Sequence, residues 1–228
     1  MGPVLPAIKV YNTREVDELV LVDITATKEC RGPDYESVVD FANNCSVPLT
    51  VGGGISEIGQ VANLLRAGAD KICVNTAAIF RPNLVDEIAA RFGAQCVVAS
   101  VDARKDRDKY VVFVQSGAKS SGRDPVSWAQ ELAARGAGEI LLTSINRDGT
   151  MSGYDLELVE KVVRAVDIPV IAAGGAGTYV HMIDVINKAG ASAVAAASMF
   201  HFTQQTPAGA KQALAAAGIP VRARFVPV

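Results

Sequence analysis

Two glycine-rich turns are the features of the sequence best suited to chemistry. Gly52-Gly53-Gly54 follows the apolar run that ends at Val51, and Gly174-Gly175 follows the run that ends at Ala173. Glycines between a strand and a helix let backbone N–H groups approach an anion closely. Either turn alone is equally consistent with a tight connection that binds nothing. Two such turns at equivalent places in the chain predict two phosphate sites.

Each glycine-rich turn has a polar companion farther along the chain. Asn75 and Thr76 follow one apolar run, and Ala197 and Ser198 follow the corresponding run in the second half. A hydroxyl or amide together with the N–H groups of the next helix would complete a cradle for a phosphate. Ordinary helix capping by Asn75, Thr76 or Ser198 is compatible with the same arrangement. Two cradles predict a long substrate with a phosphate at each end.

Aspartates at or just beyond the ends of apolar runs are the candidate acids and bases. Asp102 is the candidate general acid or base, and the alternative is a salt bridge with Arg104 or Lys105. Asp23 is equally suited to positioning a substrate and to capping the following turn. Asp148-Gly149 is typical of a plain turn, and we expect it to serve as a ligand-binding loop as well.

These residues require a scaffold of alternating strands and helices. Short apolar runs and amphipathic helical patterns alternate from end to end, which predicts parallel strands connected by helices. A short hairpin is predicted at Val111–Gln115. Ser116-Gly117, which follows it, is predicted to be a simple turn, and the alternative is a contact with the substrate. The seven predicted parallel strands cover residues 18–23, 48–51, 71–75, 96–102, 139–144, 169–173 and 193–197. The predicted helices include 35–42, 61–67, 85–92, 126–135, 156–166 and 182–189.

The second half of the chain repeats the first. Asp17–Asp23 matches Gly138–Ser144, and Ala67-Gly68-Ala69 matches Ala189-Gly190-Ala191. The offset is about 121 residues, and two halves of that length suit a barrel of about 250 residues. We therefore predict an α/β fold, a (β/α)8 TIM-type barrel of two repeated half-barrels, as a single domain over residues 1–228.

The same arithmetic leaves one strand unaccounted for. The repeat partner of residues 96–102 would lie about 20 residues before Met1, and the chain opens instead in a predicted helix over Val4–Thr13. We therefore expect a barrel that lacks its first strand. A fragment, a mis-set start codon or an expression truncation would each explain such a gap.

Composition excludes several classes of protein. The 228 residues are 50% hydrophobic and 20% charged with a net charge of −2, which fits neither a disordered chain nor a basic nucleic-acid-binding surface. The four cysteines form no C-x-x-C pair, and His181 and His201 are far apart, so no metal site is predicted. Neither a signal peptide nor an apolar run of membrane-spanning length is evident. We expect a cytoplasmic protein without cofactor, nucleic acid or membrane partner.

Several of these segments together resemble the cyclase subunit of imidazole glycerol phosphate synthase. The resemblance rests on Leu21–Thr27, Leu49–Ile55, Gly68–Ala78 and Gly136–Thr150, and it continues through residues 174–177 and 196–202. It implies an enzyme of histidine biosynthesis that acts on a bis-phosphorylated aminoimidazole carboxamide ribonucleotide with a ribulosyl arm. Ammonia closes the imidazole ring and releases imidazole glycerol phosphate and an aminoimidazole carboxamide ribotide.

The resemblance also implies roles for individual residues. Asp102 matches the family's general acid, and Gly54, Asn75 and Thr76 would bind one phosphate. Ammonia would come from a glutaminase partner at the amino-end face of the barrel. The residues matching the second phosphate site are Asp148, Gly149, Gly174, Gly175, Ala197 and Ser198, and those matching the family's charged ammonia gate are Glu18, Lys71 and Glu139. Position alone predicts a stabilising ring of ion pairs for these last three residues.

Departures from the family pattern keep two other functions open. The family's second catalytic aspartate, a phosphate-contacting lysine and one basic gate residue lie on or near the first strand, so this chain is expected to be a poor cyclase. Tyr11–Leu19, Asp124–Gln130 and Thr150–Leu158 resemble a paralogous branch that helps to amidate surface-polysaccharide sugars. In that alternative the barrel delivers ammonia. The other alternative is a non-catalytic, truncated barrel that binds phosphates.

Overall fold

The computed structural model describes residues 4–222 and is built on one sheet. Seven parallel strands follow one another along this sheet in the order β1-β2-β3-β4-β7-β8-β9, and a hairpin of β5 and β6 extends from β4. The strands are β1 (Leu19–Val22), β2 (Leu49–Gly52), β3 (Lys71–Val74), β4 (Val97–Asp106), β5 (Lys109–Val114), β6 (Lys119–Ser120), β7 (Glu139–Ser144), β8 (Val170–Ala173) and β9 (Ala193–Val194). The predicted alternation and the seven parallel strands of a barrel-type α/β fold are confirmed.

Helices connect the parallel strands and cover the outer face of the sheet. They are α1 (Val4–Thr13), α2 (Tyr35–Asn44), α3 (Ile58–Arg66), α4 (Thr76–Phe80), α5 (Asn83–Phe92), α6 (Pro125–Ala134), α7 (Leu156–Val163), α8 (Tyr179–Ala189), α9 (Ser198–Phe202) and α10 (Pro207–Ala216). The opening helix lies where the sequence predicts it. None of the helices in the described part of the chain is long and apolar enough to cross a membrane.

The register of the sheet carries the same repeat as the sequence. Leu19 pairs with Leu49 in β1–β2, and Ile140 pairs with Val170 in β7–β8. Both partners of the second pair lie 121 residues after those of the first. The repeat is therefore a property of the hydrogen-bonded backbone as well as of the motifs.

Two strands differ in length from their prediction by three residues, more than the others do. β4 continues to Asp106 because β5 folds back and pairs antiparallel with residues 102–106. Asp102 therefore lies within a strand rather than at its end. β9 ends at Val194, three residues before the predicted end at Ala197. Both differences arise from pairing with neighbours, which a run of apolar residues does not specify.

The core has an outer layer and a smaller inner layer. Between sheet and helices lie fully buried side chains such as Leu64, Ile88 and Trp128. Inside the curved sheet, Cys73, Val98 and Leu141 form a separate apolar cluster. Successive side chains of a strand point to opposite faces, so this inner cluster shares its face with the polar residues nearer the strand ends.

Candidate active site

Asp102 lies on the inner face of the central strand of the parallel path. It is partly buried, and its carboxylate accepts hydrogen bonds from Asn75 Nδ2 at 3.0 Å and from Ser100 Oγ at 3.2 Å. Asn75 follows β3, whereas Ser100 precedes Asp102 by two residues on β4. Two neighbouring elements therefore fix the orientation of this carboxylate.

Burial changes the acidity of Asp102. Removal from water raises the pKa of Asp102 to about 6, although hydrogen bonds from Ser100 and Thr143 act in the opposite direction. A carboxyl group with such a pKa can give or take a proton near neutral pH. Asp102 forms no salt bridge with Arg104 or Lys105 in the described part of the chain. Lys105 pairs instead with Glu157 at 2.7 Å, and the Arg104 guanidinium lies 4.3 Å from the centre of the Phe113 ring.

Asp23 has the opposite character at the same end of the barrel. Its Oδ1 accepts hydrogen bonds from the backbone N–H groups of Thr25 and Ala26, and its Oδ2 lies 2.7 Å from Arg31 Nη2. Burial would raise the pKa of Asp23, but the hydrogen bonds from Thr25, Arg31 and Ala26 outweigh it and lower the pKa to about 2. Asp23 thus caps its turn as a carboxylate that stays ionised near neutral pH, and it is not suited to proton transfer.

The first-half cradle comprises Gly53, Gly54, Asn75 and Thr76, which the fold brings to the same end of β2 and β3. Gly53 and Gly54 have φ of 103° and 68°, and a Cβ at Gly54 would lie 2.7 Å from the Arg31 carbonyl oxygen. Glycine is therefore required here by the close approach of the loop after β1. A pocket of about 340 Å³ opens beside the cradle and is lined by Gly54, Thr76 and two cationic side chains, Arg31 and Arg81.

The side chains of the first-half cradle contact groups other than the N-terminus of α4. Asn75 occupies the N-cap position of α4 without a capping hydrogen bond from its side chain, which instead donates to Asp102. The hydroxyl of Thr76 accepts a hydrogen bond from the Gln115 N–H at 3.0 Å. Capping is therefore the wrong explanation for the Asn75 side chain, and the cradle is connected to the candidate acid.

The tip of the β5–β6 hairpin crosses the mouth of the barrel. Gln115 and Ser116 both have φ of 56°, a left-handed conformation that is unfavourable for residues other than glycine. Ser116 Oγ donates to the Ile24 carbonyl oxygen at 2.8 Å. Ser116-Gly117 is thus more than the simple turn that the sequence predicts, because tertiary contacts hold the tip against the loop after β1.

The second-half cradle comprises Asp148, Gly149, Gly174, Gly175, Ala197 and Ser198. Gly174 and Gly175 have φ of 84° and 110°, and the Gly175 carbonyl accepts a hydrogen bond from the Gly153 N–H at 2.7 Å. Asp148 and Gly149 are exposed in the loop after β7, where the Asp148 N–H donates to the Ser144 carbonyl at 2.9 Å. Ala197 is the N-cap residue of α9. These residues follow β7, β8 and β9, and the residues of the first-half cradle follow β2 and β3. In the order of the sheet, β4 with Asp102 therefore lies between the two cradles.

Known proteins match the chain over nearly its whole length. A family model described as "Histidine biosynthesis protein" matches residues 1–206. The chain belongs to this family. It is 49% identical over 221 residues to the imidazole glycerol phosphate synthase subunit HisF of Hyphomonas neptunium, covering 97% of this chain and 88% of that relative. The subunit HisF of Streptococcus sanguinis is 46% identical over 223 residues, with 97% and 88% of the two chains covered.

At the opposite end of the barrel, the three residues that were predicted as an ammonia gate form an ion-pair cluster. Lys71 Nζ lies 2.9 Å from Glu18 Oε2 and 2.7 Å from Glu139 Oε1. Burial would lower the pKa of Lys71, but the hydrogen bonds to Glu139 and Glu18 outweigh it and raise the pKa. The ion pairing predicted from position is confirmed for these three residues, which lie at the amino ends of β1, β3 and β7.

Three contacts around the site were not predicted from the sequence. Ser100 contacts the Asp102 carboxylate, Arg31 holds Asp23, and the Gln115 N–H reaches Thr76. The two-residue period of a strand places Ser100 on the same face as Asp102, so this contact was predictable. The other two depend on how separate loops pack against each other, for which the sequence offers no local signal.

Proposed function

We propose that this chain is the cyclase subunit of imidazole glycerol phosphate synthase. The observation that supports this best is the position of Asp102, a carboxyl group with a raised pKa on the strand between two repeat-related cradles. Such an arrangement suits a substrate that carries a phosphate at each end and reacts in the middle. Both relatives described above are named subunit HisF, and this chain covers 88% of the length of each.

The two cradles would bind the phosphates of the ribulosyl aminoimidazole carboxamide nucleotide. Gly54, Asn75 and Thr76 would hold one phosphate beside the pocket that Arg31 and Arg81 line. Backbone N–H groups near Gly174 and Gly175, with Asp148, Gly149, Ala197 and Ser198, would hold the other. Anchoring both ends places the reacting arm over the middle of the sheet and so supplies the orientation on which catalysis depends.

Asp102 would transfer protons during ring closure. Ammonia adds to a carbonyl carbon of the ribulosyl arm, and expulsion of water from the adduct requires a proton on the departing oxygen. With a pKa of about 6, Asp102 is suited to donate this proton and to take one back from nitrogen afterwards. Asn75 and Ser100 would position the carboxyl group through the hydrogen bonds described above.

Asp102→Asn is the variant that tests the proposal. Ammonia-dependent turnover of the bis-phosphorylated substrate can be measured from the change in its absorbance. We expect this turnover to fall by about 10²–10⁴-fold in the variant. Binding of the substrate, measured by calorimetry, should persist because the cradles are unchanged. Asp108→Asn is the matched control, since Asp108 is exposed at the hairpin turn away from the inner face. Binding without turnover in the unaltered chain would favour the non-catalytic alternative, and absence of both would refute the cyclase proposal.

The same chain is proposed to receive ammonia from a glutaminase subunit. The Lys71 cluster lies at the amino ends of β1, β3 and β7, opposite the mouth that carries Asp102. We expect Lys71→Met to lower glutamine-dependent turnover in the presence of the glutaminase while leaving turnover with added ammonium salt within about twofold. Lys161→Met, which removes an exposed surface ion pair on α7, is the control. Equal loss in both assays would refute a gating role for Lys71.

Delivery of ammonia for sugar amidation remains the second candidate. The names of the relatives favour histidine biosynthesis. Turnover of the ribulosyl nucleotide is the measurement that separates the two functions.

A further inference from the structure

The tip of the β5–β6 hairpin belongs to a ring of contacts that closes on Asp102. β5 runs past the candidate acid, because Phe113 pairs with Asp102 in the β4–β5 ladder. Two residues farther on, the Gln115 N–H donates to the Thr76 hydroxyl at 3.0 Å. Thr76 adjoins Asn75, whose amide donates to the Asp102 carboxylate at 3.0 Å. The hairpin is therefore connected both to the backbone of Asp102 and, through two residues, to its side chain.

The hydrogen bonds of this ring run in one direction, from the hairpin to the acid. The Thr76 hydroxyl accepts from the Gln115 N–H and donates a long hydrogen bond of 3.5 Å to Asn75 Oδ1. Asn75 Nδ2 then donates to Asp102 Oδ2, while the other carboxylate oxygen accepts from Ser100 Oγ at 3.2 Å. Each donor in such a series polarises the next, and a donor to a carboxylate favours its charged form. The position of the hairpin tip thus bears on both the orientation and the acidity of Asp102.

The conformation of the tip is one that its own sequence does not favour. Gln115 and Ser116 both have φ of 56°, and non-glycine residues keep such a conformation only where surrounding contacts impose it. The imposing contacts come from two separate elements. Ser116 Oγ donates to the Ile24 carbonyl at 2.8 Å, and Arg104 Nη2 donates to the Gly117 carbonyl at 3.3 Å. The seating of the tip on the first-half cradle therefore depends on these tertiary hydrogen bonds.

We propose that the hairpin tip is a positioning device for Asp102. Seated on Thr76, the tip aligns the Asn75 amide with the carboxyl group that transfers the proton, and release of the tip leaves that amide misaligned. Ser116 is then a positioning residue, because it acts on the carboxyl group through Thr76 and Asn75. The effect on turnover rests on the proposed cyclase function. The effect on the acidity of Asp102 is independent of that function.

The other charged and titratable groups around Asp102 do not predict a rise in its pKa when the tip is released. The negative charge of Asp148, in the loop after β7, raises the pKa of Asp102 whether or not the tip is seated. On β3, burial raises the pKa of the Cys73 thiol to about 12, so this group stays uncharged. Arg104 lies on the same face of β4, and its approach after release would lower the pKa of Asp102. A rise in this pKa therefore reports loss of the Asn75 hydrogen bond.

Carbon-13 NMR of the Asp102 carboxyl group measures this pKa in the chain without substrate, and Asp102→Asn assigns its resonance. Ser116→Ala removes a hydrogen bond that holds the tip, and we expect the pKa of Asp102 to rise by about 0.5–1. Thr76→Val should raise it by a similar amount, whereas Thr76→Ser keeps the hydroxyl and should preserve the pKa of the unaltered chain. Ser120→Ala is the matched control, because Ser120 is exposed on β6 of the same hairpin and its hydroxyl accepts from Gly122.

The pH dependence of ammonia-dependent turnover connects the tip to the reaction. A general acid must be protonated, so turnover falls as the pH rises through its pKa. In Ser116→Ala and Thr76→Val this fall should move to higher pH by the same amount as the pKa of Asp102, and kcat below it should drop by about threefold or more. A merely structural role would lower kcat without moving the fall.

The two measurements separate failure of this proposal from failure of the cyclase function. The proposal is overturned if the pKa of Asp102 is unchanged or lowered in either Ser116→Ala or Thr76→Val, while circular dichroism melts show both variants to be folded. It is also overturned if Thr76→Ser shifts the pKa as much as Thr76→Val does. The expected rise in pKa in a chain without turnover would support the coupling of the tip to Asp102 and refute the cyclase function alone.

Discussion

The two cradles have similar backbone geometry but differ in the contacts that their side chains make. Asn75 and Ala197 occupy equivalent N-cap positions with φ of −125° and −129°. In each half, the turn after the preceding strand contains two glycines with positive φ. In the first half, the Asn75 amide contacts the candidate acid and the Thr76 hydroxyl is bonded to the hairpin. Ala197 has no polar side-chain group for such a contact. The repeat therefore preserves the geometry that suits an anion. Among the described residues, the side-chain hydrogen bonds from a cradle to the candidate acid and to the hairpin come from the first half.

Replacing glycines of the cradles with alanine should have the largest effect on stability, because it disturbs the backbone geometry that the two cradles have in common. A Cβ at Gly53, where φ is 103°, would lie 2.8 Å from the backbone nitrogen of Asp23. At Gly149, where φ is 74°, it would meet nothing within 4 Å. We expect Gly53→Ala to lower the free energy of unfolding by about 3 kcal/mol or more, from strain and overpacking together, and Gly149→Ala by about 1 kcal/mol from strain alone. Urea unfolding measures both.

The equivalent substitution in the second half sharpens this comparison. A Cβ at Gly174, where φ is 84°, would lie 2.8 Å from the Ser144 carbonyl oxygen, and Ser144 is the repeat equivalent of Asp23. Gly174→Ala should therefore be about as destabilising as Gly53→Ala. Losses for Gly53→Ala and Gly149→Ala that are equal would contradict the close approach that we infer between neighbouring loops.

Local sequence signals predict much of this fold but less of the site. Strand and helix order, the repeat and the inner-face position of Asp102 follow from periodicity and motif spacing, because those depend on burial along one element. The extension of β4 beyond Asp102, the contact of Ser116 with Ile24 and the hydrogen bond from Gln115 to Thr76 join residues from separate loops. Such contacts depend on tertiary packing, which leaves no pattern along the chain.

Two aspartates at the same mouth should give opposite dependences of stability on pH. The folded pKa of Asp102 is about 6, above its ordinary value of 3.8, so its folded form binds more protons and loses stability as the pH rises from 3.8 to 6. Asp102→Asn should therefore stabilise the chain by about 3 kcal/mol at pH 7 and add little below pH 3.8. The folded pKa of Asp23 is about 2, so its contribution is present above 3.8 and is lost as the pH falls to 2.

Asp23→Asn is the counterpart that sharpens the pH comparison. Water screens this carboxylate, whose side chain is 32% exposed, so we expect a loss of only about 1 kcal/mol at pH 7 that disappears near pH 2. Chemical unfolding of the unaltered chain, Asp102→Asn and Asp23→Asn between pH 2 and pH 7 measures both effects. If both variants shift stability with the same sign at pH 7, the division into one permanently charged and one proton-transferring aspartate is wrong.

Removal of one hydroxyl from each cradle should give the smallest effects and separate the two roles. Thr76→Val keeps the shape of the side chain but leaves the Gln115 N–H without its acceptor, at a cost of about 1 kcal/mol. We expect a roughly fivefold rise in KM and faster amide exchange at Gln115 and Ser116, because the hairpin tip is released. Ser198→Ala should raise KM by a similar factor and leave exchange at the hairpin unchanged. If Ser198→Ala also loosens the tip, the hairpin responds to substrate anchoring in general, and its specific attachment to the first half is refuted.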